Sequence, residues 1–375
     1  MNIDWVSRAH RIWWALLIIP IHYIYFQIYL MQHSKSLICL ALISLAVASC
    51  TNPQANTKNT TDSSYFTPTD SGVQTGGVQV IPIETPKGTF NVWTKHIGNN
   101  PKTKVLLLTG GPGASHEYVE CFESFFPKEG IEFIYYDQLG TGYSDDPKDT
   151  SLFDLARCVD EVEQVRKALH LDKDNFYLLG HSWGGILAME YAIKYQQHLK
   201  GLIISDMMAS AADYARYADE VLAKQLDPKV LDTIRQIEKK GDFDNPKYME
   251  LLMTHFYSKF ICRLPAWPEP LARSMSRLNQ AFYVTMQGPS EFGISGKLEN
   301  WDVKAKLPSI EVPTLSIGGK YDTMDPEHMK WIAGQVKKGT FLLCPNGSHM
   351  SMYDDQQTYM NGVISFIKTT EAGSK

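Results

Sequence analysis

The stretch NFYLLGHSWGGILAMEYAIKY, residues 175–195, holds three patterns in immediate succession. An apolar run of strand length comes first, a Gly-x-Ser-x-Gly core follows, and an apolar run at helical spacing ends it. A serine held at a tight strand-to-helix turn needs glycine two residues before and two after, so that the chain can pass close to itself. Gly180 and Gly184 meet that need around Ser182. As a bare string the pattern is common in loops and a plain turn would explain it. Between a buried strand and a helix it reads as a nucleophile, with its hydroxyl raised above the carboxyl edge of a sheet. The NH of Trp183 would then sit at a helix N-terminus, where an oxyanion is stabilised.

Working outward, VQVIPI and FNVWTKHI read as an antiparallel pair. KVLLLTG, EFIYYD, NFYLLG, GLIISD, TLSIGG and TFLLCP read as buried parallel strands. The segment 152–171 places Leu155, Val159, Val162, Val165 and Leu169 on one face of a helix that would cover the sheet. From about 206 to 304 the strand pattern gives way to charged helical sequence, then resumes at VPTLSIGG. The expected organisation is therefore an α/β core over 76–205 and 305–372, interrupted by a helical cap over 206–304.

A serine hydroxyl is a poor nucleophile near neutral pH and needs a base, which in turn needs a carboxylate. Asp322 follows the strand TLSIGG, and His349 follows TFLLCP. The order Ser, Asp, His, each after a predicted strand, suits residues delivered to one sheet edge. Taken singly, Asp322 could be a turn former and His349 a surface loop residue. Asp325 competes with Asp322 for the acid, but Asp322 lies nearer its strand end and is the better fixed. The loop Thr109-Gly110-Gly111-Pro112-Gly113 follows KVLLL and reads as the second oxyanion donor. No GK[ST] follows its glycines, so a phosphate loop is excluded.

TGGPG, YYDQLGTGYSD, GHSWGG, GGKYD and GSH, taken together, resemble the proline iminopeptidases of the α/β-hydrolase superfamily over roughly residues 76–370. That resemblance implies an α/β-hydrolase fold and release of an N-terminal proline, or another small residue, from short peptides through an acyl-enzyme on Ser182. It implies an oxyanion hole at the NH groups of Gly111 and Trp183, and no cofactor. Thr109 stands where the family usually has histidine, a departure that bears on loop packing more than on chemistry. Gly288-Pro289-Ser290-Glu291-Phe292 resembles the family's GPNEF segment, which makes Glu291 the anchor for the substrate amine. Further amine-binding acids are implied, with Glu250 and Glu269 as weak candidates. Trp183, Phe282 and Tyr283 are candidate walls for a proline ring, or simply core. Two alternatives keep the scaffold: an esterase, lactonase or amidase, and a noncatalytic binding protein.

The 375 residues are 44% hydrophobic, enough for a sizeable core, and the net charge of -5 offers no basic surface to nucleic acid. The six cysteines show no zinc-like spacing, so no metal site is expected. Those outside the leader read as small buried hydrophobes, with one disulfide allowed in an oxidising compartment. Residues 1–50 read as a leader. Residues 12–30 are mostly apolar and either belong to a start assigned too early or form a membrane helix. From Met31, MQHSKSLICLALISLAVASC resembles a bacterial lipoprotein signal, with Cys50 as the lipidated residue and the cell envelope, on the periplasmic side, as the location. Residues 51–75 are polar and read as a flexible tether.

Overall fold

The computed structural model describes residues 74–373. The leader, Cys50 and nearly all of the tether expected above lie outside them. All eight predicted strands form: β1 (Val78–Thr85), β2 (Gly88–Ile97), β3 (Lys104–Leu108), β4 (Glu132–Asp137), β5 (Phe176–His181), β6 (Gly201–Ser205), β7 (Thr314–Gly319) and β8 (Gly339–Cys344). They make one sheet in the order β1-β2-β4-β3-β5-β6-β7-β8. The β1/β2 and β2/β4 pairs are antiparallel and the rest parallel. The parallel strands read as continuous apolar runs because helices cover both of their faces, and every residue of β4, β5, β6 and β7 is buried.

Helix α1 (Leu155–Ala168) starts at Asp154, whose side chain accepts the Arg157 NH, and buries Val159, Val162 and Val165 as its spacing predicts. Helix α2 (Trp183–Tyr195) is apolar on nearly every side and is correspondingly buried. Between β6 and β7 the chain runs through α3 (Ala211–Tyr217), α4 (Pro228–Lys240), α5 (Pro246–Leu252), α6 (Glu269–Ser276) and α7 (Gln280–Met286). Single π-turns, Ala218–Leu222 and Met253–Tyr257, continue α3 and α5, so these helices are locally widened at their C-terminal ends. Helices α8 (Pro326–Gln335) and α9 (Gln356–Gly373) complete the core. Among the described residues no helix is long and apolar enough to cross a membrane. Cys121, Cys158, Cys262 and Cys344 are all free thiols, so the disulfide that an oxidising compartment would allow is not formed among them.

Strand register decides what meets at the carboxyl edge. Leu108 pairs with Gly180, His181 with Ser205, Ser205 with Ile317, and Gly319 with Cys344. The loops after β3, β5, β6, β7 and β8 therefore leave the sheet side by side.

Candidate active site

Ser182 sits between β5 and α2 with φ 55° and ψ −123°, a conformation that a non-glycine residue adopts only when its surroundings impose it. The turn is imposed by close passage of backbone. A Cβ on Gly180 would lie 2.0 Å from the Gly184 carbonyl oxygen, and one on Gly184 would lie 2.2 Å from the Leu108 carbonyl oxygen. The Ser182 carbonyl accepts the Gly185 NH at 2.6 Å, and the Ser182 NH donates to Ser205 O at 3.0 Å. The NH of Trp183, at the first helical position, has no intrahelical acceptor.

The loop after β3 lies against this turn. A Cβ on Gly110 would touch Ser182 Cβ at 3.0 Å, and Gly111, at φ 106°, lines the same cavity as Ser182. The Gly111 NH has no acceptor among the described residues. Thr109 answers the packing question raised by its departure from histidine: its hydroxyl donates to the Ala114 carbonyl at 3.1 Å, bracing the loop across its own width. The Gly110 NH donates to the Tyr118 hydroxyl at 2.6 Å, and that hydroxyl is 3.0 Å from His181 Nδ1. His181 Nε2 lies 2.8 Å from the carbonyl oxygen of His349. Because a carbonyl only accepts, Nε2 carries the ring proton and Nδ1 accepts from Tyr118. Burial pushes His181 down to about 3, so this bridge between the loop and His349 stays neutral.

His349 Nδ1 is 2.8 Å from Asp322 Oδ1, and both side chains are buried. The same oxygen accepts the Met324 NH at 3.0 Å and the Thr323 hydroxyl at 3.2 Å. Asp325, the competing acid, instead caps α8 by accepting the Glu327 NH at 3.0 Å. Burial lowers the basicity of His349, opposed by the nearby carboxyl groups, Glu291 foremost. Burial raises Asp322 to about 7, and hydrogen bonds from Asp206, Met324 and Thr323 offset part of that rise. Among the described residues the Ser182 hydroxyl takes no hydrogen-bond partner. Such contacts commonly tighten only when substrate is bound.

Ser182, His349 and Glu291 line one cavity of about 390 Å³. Glu291 is held there by tyrosines: Tyr283 donates to Oε1 at 2.7 Å, and Tyr214 donates to the Glu291 carbonyl at 2.6 Å. The Glu291 NH donates to the Tyr257 hydroxyl at 3.2 Å. Burial raises the Glu291 pKa, with the Tyr283 and Tyr214 hydroxyls and His349 pulling the other way. Among the described residues no lysine or arginine forms a salt bridge with it. Met249, Met253, Trp267, Met275 and Leu278 supply apolar wall.

Glu250 and Glu269, the weak candidates for further amine anchors, are not brought to the cavity. Both are exposed, and Glu269 pairs with Arg273 on the surface of α6 at 3.1 Å. Glu269 stands on the polar face of an amphipathic helix whose other side buries Leu271 and Ser274. Of the three candidate aromatic walls, Tyr283 lines the cavity, whereas Trp183 and Phe282 are core. Phe282 stacks on Phe153 with centroids 4.3 Å apart, and Trp183 Nε1 donates to Gln138 Oε1 at 2.8 Å. Sequence reasoning did not find Asp206, Tyr118, Tyr214 or Tyr257. A tyrosine in a helix carries no signal of which face it presents. Asp206, the last residue of GLIISD, did carry one, since it follows a predicted strand at the same edge.

An α/β hydrolase fold family model matches residues 103–356. The proline iminopeptidase of Chitinophaga pinensis is 61% identical over 297 residues, covering 79% of this chain and 99% of that protein. That of Flavobacterium johnsoniae is 62% identical over 288 residues, covering 77% and 97%. Among solved structures, the proline iminopeptidase of Mycobacterium smegmatis superposes with a TM-score of 0.71 at 26% identity, covering 80% of this chain and 100% of that one.

Proposed function

Since this chain belongs to the proline iminopeptidase family of the α/β hydrolases, we propose that it is a serine aminopeptidase that releases N-terminal proline from short peptides. Ser182 attacks the carbonyl of the N-terminal residue. His349 takes the serine proton and returns it to the leaving amine, while Asp322 stabilises the imidazolium through the 2.8 Å contact to Nδ1. Water then enters, loses its proton to His349 and frees the acyl group. The NH groups of Gly111 and Trp183 hold the oxyanion, each contributing ~3 kcal/mol in the transition state.

The observation that carries the reading is Glu291. A buried carboxylate without a cationic partner is costly, and in the cavity beside Ser182 it fits the ammonium of a free N-terminus, fixing the distance from amine to scissile carbonyl. An esterase or lactonase acting on a neutral substrate has no use for that charge, and an intact constellation of serine, histidine and aspartate argues against a purely binding role. The test uses prolyl, N-acetyl-prolyl and alanyl amides of a chromogenic amine beside a simple acyl ester. Cleavage of the free prolyl amide, with the acetylated form resistant and Ser182→Ala inactive, supports the reading. Turnover of the ester alone overturns the amine anchor.

We further propose that the enzyme is held at the cell envelope by lipid on Cys50, a reading that rests on the sequence MQHSKSLICLALISLAVASC alone. Metabolic labelling with a radioactive fatty acid, lost in Cys50→Ala together with membrane association, is the expected outcome. Unlabelled enzyme would refute it.

A further inference from the structure

Asp206 is fully buried at the end of β6 and has no role in the chemistry above. Because His181 pairs with Ser205 and Ser205 with Ile317, Ser182 and Asp206 are each the first residue beyond a common line across the sheet. The Asp206 NH donates to the Ile317 carbonyl at 2.9 Å, and Oδ1 accepts the Gly319 NH at 3.2 Å and lies 3.4 Å from Ser351 Oγ. The Ser205 hydroxyl donates to Oδ2 at 2.6 Å and is itself 2.9 Å from the Tyr359 hydroxyl. A further neighbour is the Asp322 carboxyl, which leaves a buried oxygen without any other partner among the described residues and is in hydrogen-bond contact with that of Asp206.

Asp322 spends Oδ1 on His349, Met324 and Thr323, while its Oδ2 is buried and has no conventional donor among the described residues. Two carboxylates in contact inside a dry interior do not both ionise. One of them must hold a proton between the pair, and since Asp322 is the partner of His349, that one is Asp206.

We propose that Asp206 is a positioning residue of the triad: as a neutral carboxylic acid it donates a hydrogen bond to Asp322, satisfying the carboxyl that orients His349 and keeping it ionised. This rests on Ser182, His349 and Asp322 acting as the triad. The direction of titration agrees, since burial and the Asp322 charge drive the Asp206 carboxyl well above its ordinary range, and Ser205 and the imidazole of His349 only partly oppose them. The other ionisable groups facing the pair are Asp354, which Ser348 and the Arg263 NH hold, and Tyr118, Cys344 and Tyr359 on the Asp206 side with Tyr214 and Tyr217 on the Asp322 side, all five pushed up by burial.

Asp206→Asn keeps a neutral donor of the same shape, and Asp206→Ala removes it. The measurement is the pH dependence of fluorophosphonate labelling of Ser182, which needs the triad but not the peptide specificity, run beside prolyl-amide turnover. The expected result is labelling of Asp206→Asn within about threefold of wild type. Asp206→Ala falls roughly tenfold, and its acid limb moves up by about one pH unit. An Asn variant that falls as far as the Ala variant would show that the site needs a charge and overturn the proposal. An Ala variant with wild-type rate and pH profile would reduce Asp206 to packing. Should the Ala variant not fold, the Asn variant and the low-field proton resonance of His349 Nδ1 decide, unchanged in Asn if the proposal holds and displaced if it does not. Labelling without prolyl-amide turnover sinks the substrate assignment alone, whereas wild-type protein that resists labelling sinks the triad and this proposal with it.

Discussion

Ser182 and Glu291 carry opposite kinds of local cost, one in backbone strain and the other in desolvated charge. Ser182→Ala removes the only nucleophile in the proposed chemistry, and turnover is expected to fall by about a million-fold, as when other triads lose their serine. Glu291→Gln leaves the shape and removes the charge. Losing one charged hydrogen bond costs about 1.5–3 kcal/mol, so kcat/KM for prolyl amides should drop roughly 10- to 100-fold while fluorophosphonate labelling stays within a few-fold of wild type. The acid limb of turnover is set by Asp322 more than by His349. Burial holds His349 neutral to lower pH than usual, whereas burial raises Asp322 to about 7 even with the Asp206 hydrogen bond opposing it, and the two carboxyls titrate as a pair. Turnover is therefore expected to fall as pH drops through about 7. A pH-rate profile that stays flat to pH 5 would contradict this account. Serine at the elbow and histidine after the last strand were legible in the sequence because strand ends announce themselves. The tyrosines around Glu291 were not, since their side chains are assigned only by packing between α3, α7 and the π-turn after α5.

At the scale of elements, β5, its turn and α2 form one unit whose tolerance is set by backbone contacts. Gly184→Ala would push a methyl to 2.2 Å from Leu108 O and 2.9 Å from Thr109 O, neither of which can swing aside as a side chain would. The expected loss is about 2–3 kcal/mol in denaturant unfolding, with the serine displaced and labelling slowed; an unchanged midpoint would refute the close-passage account. A second contact joins α6 to the turn His116–Ser124 behind the oxyanion loop. Ser274 Oγ donates to Ser115 O at 3.0 Å, Arg273 Nη2 meets Glu120 at 2.7 Å, and Arg277 Nη1 meets the buried Glu117 at 2.5 Å. The sequence marks this part of the chain as charged helical cap. It could not show that the basic residues at the end of α6 meet acidic residues about 155 positions earlier in the chain. For the same reason Glu269, a weak candidate for an anchor in the sequence, is a surface residue in the fold.

Across the molecule, the constellation draws on the ends of β3, β5, β7 and β8, while Glu291 comes from the segment between β6 and β7. A cyclic amine that fills the cavity should bind the assembled structure alone. At one hundred times its dissociation constant, prolinamide is expected to stabilise the fold by about 2.7 kcal/mol, read as a rise in melting temperature that Glu291→Gln largely abolishes. An equal rise in the variant would separate the ligand from Glu291. The sequence by itself determined the alternation of strands and helices, the elbow around Ser182 and the order of Ser182, Asp322 and His349, because period, glycine placement and strand ends are local properties of the chain. Only the tertiary structure decided that Asp325 caps a helix, that Trp183 and Phe282 are core, that Glu250 and Glu269 face solvent, and that Asp206 touches Asp322. Those outcomes depend on strand register and helix rotation, which bring together side chains far apart in the chain and leave no periodic trace in it.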